Sequence, residues 1–267
     1  MYKSNSGCGN AVSKSKMKRA FAAAGIVPGD TLLMHGALSA IGYAENGADD
    51  VIDALMELIG TEGTLAVVAM SGNQPFDAAT SPSSVGILTE TLRLRPGAYR
   101  SLRPVHSIAA IGKRAKELTE DHDKAQTNCG EGTPYTKLRD MHGKIILLGV
   151  DMNRNTTLHS VEDICDCSYL EERTMLMPTY YPDYEGKTIT VRKFPPGHRD
   201  FLKLVPVLRR AGAVKETVVG KACVKVIDAA MMFDIAVKAV SEDEMFFMCD
   251  NPACQYCSAA RKAAKNV

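Results

Sequence analysis

Lys144-Ile-Ile-Leu-Leu-Gly-Val150 leads without interruption into Asp151-Met-Asn-Arg-Asn155 and then Thr156-Thr-Leu-His159-Ser-Val-Glu162. After its lysine the first segment is an apolar run of strand length with no polar alternation, as in a strand covered on both faces. The polar pentapeptide that follows suits a turn and a helix entry, because Asp and Asn side chains bond nearby backbone N–H groups. A buried strand passing through a turn into a helix is the working unit of α/β architecture, so this stretch decides the fold class.

The same alternation extends outward. Met1 to Asn10 is polar and contains glycine, and residues 1–12 are expected to form a flexible tail before a helix over Ser13 to Ala24 that stops at Gly25. A strand at Thr31 to His35 precedes the small-residue segment Gly36 to Gly42, a helix at Ala48 to Ile59 and a strand at Leu65 to Met70. The glycine- and proline-containing loop that then runs to Ser84 is long enough to suggest function. Helical periodicity returns around Val85 to Leu94, and Ile108 to Ile111 leads into another helix near Arg114 to Glu120. Beyond Met177 the texture changes, with Pro178, Pro182, Pro195 and Pro196, strand-like runs at Thr188 to Val191 and Ala222 to Ile227, and helices over Asp200 to Arg210 and Asp228 to Val240. The expectation is a single α/β domain over 13–267: a central mixed, largely parallel sheet flanked by helices, with 178–267 as a smaller C-terminal antiparallel subdomain. In such sheets ligands sit at the carboxyl ends of the strands.

Composition narrows the function classes. Apolar residues make up 45% of the 267, enough for a sizeable core. The 32 basic and 31 acidic side chains leave a net charge of +1, without the basic footprint of a nucleic-acid binder. The apolar run Ala20 to Val27 is broken by glycine and too short for a membrane span. A cytoplasmic protein with neither nucleic acid nor membrane as partner is expected. The eight cysteines, with no secretory signal, read as thiols or metal ligands.

The candidate chemistry sits at His159 and Glu162, which share one helix face at a spacing of three. A helix N-terminus disfavours the imidazolium, whereas a carboxylate neighbour raises its basicity and orients the ring, so the pair can serve as a general base. The competing reading is that Thr156 or Thr157 caps the helix while His159 merely packs against the sheet.

Four segments in order resemble the aminoglycoside 3-N-acetyltransferase family, which differs in fold from the GNAT acetyltransferases. They are Gly29-Asp-Thr-Leu-Leu-Met-His35-Gly-Ala-Leu-Ser39-Ala-Ile-Gly42 with Gly60-Thr-Glu-Gly-Thr64; Arg100-Ser101-Leu-Arg-Pro104-Val-His106-Ser107 through Gly112; Gly130-Glu131-Gly-Thr-Pro134-Tyr-Thr-Lys-Leu138; and Leu147 through His159 to Glu162. The resemblance implies an acetyl-CoA-dependent transferase acting on the 3-amino group of an aminoglycoside. The histidine matching His159 would deprotonate the amine for direct attack on the thioester; with it, Glu162 or a carboxylate from elsewhere is expected to orient the ring, and the backbone or Thr156 and Thr157 to donate near the thioester oxygen. It assigns coenzyme binding to His35, Gly36, Ala37, Leu38 and Ser39, and to Arg100, Ser101, Arg103 and Ser107. Gly36-Ala37 stands where the family commonly has a serine pair, and Arg103 where it has a histidine. An acidic loop of the family is replaced by Phe194-Pro-Pro-Gly-His198-Arg-Asp200, leaving Asp200, with Asn73, Asp77 and Asp163, as candidates for the acceptor side. Glu131, Asp166, Tyr180, Tyr181 and Asp183 are further candidates.

Near the C-terminus, Cys254 and Cys257 form a C-x2-C pair with Cys249 five residues upstream, a spacing compatible with a structural zinc ion. The apramycin-acetylating branch of the family pairs such cysteines with a histidine, which points to His198 as the fourth ligand. Asp200, Cys165 and Cys167 are alternatives, and unligated thiols are the competing reading. Other functional readings stay open: an acyl-CoA-dependent transferase acting on another amine, a hydrolase or acyl-enzyme transferase with Cys165 or Cys167 as nucleophile and His159 as base, and a coenzyme- or metal-binding scaffold without activity. Assembly as a homodimer is compatible with the sequence.

Overall fold

The computed structural model describes residues 11–71, 76–176, 188–193 and 198–264. The chain runs α1 (Lys14–Ala23), β1 (Thr31–Gly36), α2 (Ala48–Ile59), β2 (Thr64–Val68), α3 (Ile87–Arg93), β3 (Tyr99–Arg100), β4 (Ile108–Gly112), α4 (Ala115–Thr119), α5 (Pro134–Asp140), β5 (Lys144–Leu148) and α6 (Leu158–Ile164). It continues with β6 (Glu171–Leu176), β7 (Thr188–Lys193), α7 (Val205–Arg210), β8 (Val214–Val219), β9 (Ala222–Asp228), α8 (Ala229–Glu242) and α9 (Gln255–Ala264). Short 3-10 turns occupy Leu38–Ile41, Met152–Arg154 and Phe201–Leu204.

Seven strands form one mixed sheet in the order β3-β4-β2-β1-β5-β9-β8. The parallel pairings are confined to its centre, where β1 lies between β2 and β5. The outer pairings, β2 with β4, β4 with β3, β5 with β9 and β9 with β8, are antiparallel. Parallel strands are thus fewer than the sequence reading expects. The C-terminal strand at 222–228, expected in a separate subdomain, instead pairs with β5 along Lys144 to Leu148. The alternating burial of β9 explains this, since Val224 and Val226 face one core while Ile227 faces the other. The separate antiparallel unit is the β6–β7 pair.

Alternate residues of the central strands feed two cores. Leu33, Ala66, Val68, Ile145 and Leu147 point to one face, where they meet Tyr135, Val161 and Phe233 of α5, α6 and α8. Leu32, Met34, Val67, Ile146 and Leu148 point to the other, against Phe21, Leu55 and Leu88 of α1, α2 and α3. A period of two with both faces apolar is the signature of a sheet between two helical layers. Among the described residues, no helix is long and apolar enough to cross a membrane.

Candidate active site

The parallel arrangement of β1, β2 and β5 brings their carboxyl ends to one edge of the sheet, and a cleft of about 460 Å³ opens there. Met34, His35 and Gly36 of β1 line it with Ala37, as do Val68 of β2 and Met70 and Val150 just beyond the ends of β2 and β5. Val85, Thr89, Asn153, Arg154, Thr156 and His159 complete its lining. The volume lies in the range of small-molecule sites, and the position follows the rule for open α/β sheets.

His159 enters this cleft from the first turn of α6. Its Nδ1 lies 2.6 Å from Oε2 of Glu162, and while the imidazole remains partly exposed the carboxylate is completely buried. Glu162 is held from its other oxygen as well. The Tyr169 hydroxyl donates to Oε1 at 2.8 Å, and Nε of the buried Arg199 donates to the same atom. Burial opposes ionisation of Glu162, but the hydrogen bond from His159 and the charge of Arg199 outweigh it and hold its pKa below the ordinary value. An ionised Glu162 requires Nδ1 of His159 to be the protonated nitrogen, because a carboxylate only accepts. Phe201 packs against the His159 ring at 5.3 Å and His106 at 6.1 Å, both edge-on, which limits its rotation.

Thr156 lines the cleft, whereas Thr157 is fully buried and Asn155 beneath it hydrogen-bonds toward the sulfurs of Met152 and Met232. Of the segment His35 to Ser39, the first three residues line the cleft, and Leu38 and Ser39 lie in the following 3-10 turn. The Ala37 amide is already engaged by the Leu148 carbonyl at 2.9 Å, while a side chain at Gly36 would press on Leu88 and Leu148. His35 is 8% exposed, burial lowers its pKa to about 4, and its Nε2 has no hydrogen-bond partner among the described residues.

The arginine motif serves the walls of the cleft instead of facing it. Arg100 donates to the carbonyls of Ser81 and Ala69 and stacks over Phe76, clamping both ends of the loop after β2. Arg103 is fully buried and donates to Asn128 Oδ1 at 2.7 Å and to the carbonyls of His122 and Ala125. Ser101 bridges His122 and the Ile108 amide, and Ser107 donates to the Ala69 carbonyl at 2.7 Å. The hydrogen bonds of these four side chains go to the fold, while Nη2 of Arg103 has no partner among the described residues. The sequence reading placed them at the coenzyme because a motif shows which residues are present but not which way an arginine turns.

The acceptor-side candidates are dispersed. Asp77 closes a tight turn on the Ala79 amide at 2.7 Å, Asp163 lies beside Gly130, and the Asp200 amide donates to the Phe247 carbonyl at 2.8 Å. Asn73, Tyr180, Tyr181 and Asp183 lie outside the described residues. Glu131 is paired with Arg139. Among the described residues lining the cleft there is no carboxylate, and exposed Arg154 at its rim was not singled out from the sequence. Cys165 and Cys167 do not line it, and burial raises both thiols, Cys167 to about 12, which argues against a thiolate nucleophile.

The C-terminal thiols converge on His198. One ligand atom from each of His198, Cys249, Cys254 and Cys257 lies within 4.8 Å of all the others. Nδ1 of His198 is 3.9 Å from the Cys254 sulfur and 3.7 Å from that of Cys257. Three sulfurs and one imidazole nitrogen form a donor set that suits tetrahedral zinc; the Cys257 amide lowers the Cys254 thiol to about 7, while burial raises that of Cys257 to about 11. The residues fit a closed four-ligand site.

Residues 33–241 match the family model described as aminoglycoside 3-N-acetyltransferase. Among curated proteins, the aminoglycoside N(3)-acetyltransferase VII of Streptomyces paromomycinus is 33% identical over 178 residues, 58% of this chain and 62% of that protein. The chain therefore matches less than two thirds of that relative's length. Among solved structures, aminoglycoside acetyltransferase AAC(3)-IVa in complex with a gentamicin aligns over 96% of this chain and 98% of that one, with a TM-score of 0.86 and 26% identity. The binary complex of AAC-IIIb with CoASH aligns over 87% of this chain and 97% of that one, with a TM-score of 0.80 and 25% identity.

Proposed function

This chain belongs to the aminoglycoside 3-N-acetyltransferase family, and from that membership we propose that it transfers the acetyl group of acetyl-CoA to the 3-amino group of an aminoglycoside, with His159 as general base. The observation that carries the reading is the 2.6 Å contact between His159 Nδ1 and the buried Glu162 carboxylate, on a ring that borders a cleft at the ends of three parallel strands. With Nδ1 protonated toward Glu162, Nε2 is the nitrogen that accepts the amine proton. The amine nitrogen attacks the thioester carbonyl, the carbon–sulfur bond breaks, and the CoA thiolate leaves with the proton that His159 has taken up. No acyl-enzyme forms.

Two polar groups complete the cleft. Thr156 offers a hydroxyl donor toward the developing oxyanion, and His35, kept neutral by burial, offers Nε2 to an amide of the pantetheine arm. His198, Cys249, Cys254 and Cys257 would hold a structural zinc ion, which would tie the C-terminal residues to the fold. The relatives solved with CoASH and with a gentamicin support the coenzyme and the acceptor class.

The test is thiol release from acetyl-CoA with a panel of aminoglycosides, for wild type and His159→Ala. The variant is expected to lose about two to four powers of ten in turnover while keeping its circular dichroism spectrum. Near-normal turnover in a folded His159→Ala protein removes the base, and no release by wild type with any amine removes the activity.

A further inference from the structure

The chain segment 198–201 serves two centres at once. His198 belongs to the cysteine cluster, and the next residue, Arg199, donates through Nε to the fully buried Glu162 that orients His159. A second, apolar connection runs beside the first. Phe247, two residues before Cys249, accepts the Asp200 amide on its carbonyl at 2.8 Å and packs against Phe201 at 4.8 Å. Phe201 in turn meets the His159 ring at 5.3 Å.

Arg199 is held by its ion pair with Glu162 and lies over the Tyr169 ring at 5.3 Å, with few other bonds. It is 5% exposed, its acceptors among the described residues are Glu162 and the adjacent His198 carbonyl, and one terminal guanidinium nitrogen has no partner among those residues. A nearly buried guanidinium so sparsely bonded needs a rigid attachment in the chain. The neighbouring thiols supply little by themselves, since their contacts to His198 are 3.7–3.9 Å and sulfur is a weak donor. Coordination bonds would supply the attachment one residue away.

We propose that Arg199 is a positioning residue through which metal occupancy of the His198, Cys249, Cys254 and Cys257 cluster is transmitted to the base. With zinc bound, Arg199 is held on Glu162, and Glu162 holds His159 in its working orientation. Without zinc, segment 198–201 loosens and the Glu162–His159 pair loses its alignment while the sheet persists. The inference rests on His159 being the base.

The experiment compares the full chain loaded with zinc, the same protein stripped by a chelator, Cys254→Ser, and Arg199→Gln in its zinc-loaded form. Zinc content, circular dichroism, the His159 ring Nδ1–H NMR signal (assigned by its loss in His159→Ala), and kcat and KM for acetyl-CoA are read for each. Stripping and Cys254→Ser should both shift or broaden the ring signal and lower kcat by about tenfold or more, the scale seen when outer-shell partners are lost, with KM little changed. Arg199→Gln should give the same signature while retaining about one zinc per chain. Stripping zinc from Arg199→Gln should then add little, because both changes act on one link. An unaltered ring signal and kcat in folded, stripped protein, a wild-type signature in Arg199→Gln, or failure of wild type to bind zinc overturns the proposal. Should stripping unfold the chain, the zinc-loaded Arg199→Gln comparison decides. Absence of acetyl transfer by wild type bears on the proposed function alone, because the ring signal reports the coupling without turnover.

Discussion

Replacing Glu162 with glutamine changes one atom and should disable both the site and part of the stability. Glu162 is completely buried and takes hydrogen bonds from three groups, His159, Tyr169 and Arg199. Glutamine keeps one acceptor oxygen, which can serve Tyr169 and Arg199, and its amide then faces Nδ1 of His159. An amide N–H cannot be met by a second N–H, so Nδ1 must become the acceptor and the ring proton moves to Nε2. That is the wrong tautomer for taking a proton from an amine, and turnover should fall by about two orders of magnitude or more. The stability loss has a separate origin. Arg199 is left as a buried cation without its anion, and breaking such a pair by removing one partner costs roughly 3–5 kcal/mol. In urea that corresponds to a midpoint lowered by roughly 1 M or more. Glu162→Leu combined with Arg199→Met should recover much of the stability, since an apolar replacement of the whole pair leaves no stranded charge, but none of the turnover. Equilibrium unfolding and steady-state thiol release on the three proteins separate the two effects. A Glu162→Gln protein within about 1 kcal/mol and threefold of wild type would refute the reasoning on both counts.

Acid should destabilise the fold well above the carboxylate range. Burial lowers His35 to about 4 and His122 to about 3, so both imidazoles stay neutral in the folded chain while the unfolded chain takes up protons near pH 6.5. Their contribution is complete above pH 6.5 and declines as pH falls toward the folded values, by about 1.4 kcal/mol per pH unit for each histidine. Urea unfolding between pH 7.5 and 4.5 should show this slope and His122→Gln should reduce it; a flat profile contradicts the burial argument. Gly112→Ala should cost more than Gly97→Ala, for which left-handed strain alone predicts about 1–2 kcal/mol. Gly112 has φ +122° and a Cβ there would lie 2.2 Å from the Gly63 carbonyl oxygen, whereas Gly97 has φ +80° and open space around it. Equal losses on thermal unfolding would count against the close packing of β2 on β4. Arg154→Glu at the cleft rim should raise KM for acetyl-CoA several-fold at low salt and leave kcat nearly intact, as expected for an exposed charge acting on a phosphate. An unchanged KM would place the coenzyme phosphates elsewhere.

How much of this was legible depends on how locally each feature is determined. The central strands and α2 could be read because both faces of the sheet are covered, which turns β1, β2 and β5 into uninterrupted apolar runs. The edge strand β8 was missed for the opposite reason: Lys215 and Glu216 are exposed along it, so it looks like a polar connection. The seven-residue α5, beginning at Pro134, and α9, rich in alanine and polar residues, carry too little apolar periodicity to declare themselves. The membership of β9 in the main sheet is a long-range pairing that no local pattern encodes. At the site, the spacing of His159 and Glu162 is a property of one helical turn and was available from the sequence. The fates of Arg100 and Arg103 were not, because each is captured by backbone carbonyls 19 to 31 residues away.

The segment 198–201 shows why the remaining partner escaped notice. His198 could be nominated because it stands in a proline-glycine loop able to approach the C-terminus and because the apramycin-acetylating branch that the chain resembles pairs such cysteines with a histidine. Arg199 stands beside it with no such pointer visible, because a buried carboxylate announces its need for a cation only when its burial is known. Once Glu162 is seen to be fully enclosed, the balance of charge requires more than His159, which must be neutral to act as a base and so cannot neutralise the carboxylate before reaction. Arg199 supplies that permanent positive charge on the side of Glu162 away from the ring. In the proposed reaction, the imidazolium formed when the amine proton is taken up then meets a carboxylate already oriented. A base that must be neutral before the reaction and charged during it thus needs a third, invariantly charged partner, and the structure finds one at the residue that follows the cluster's histidine.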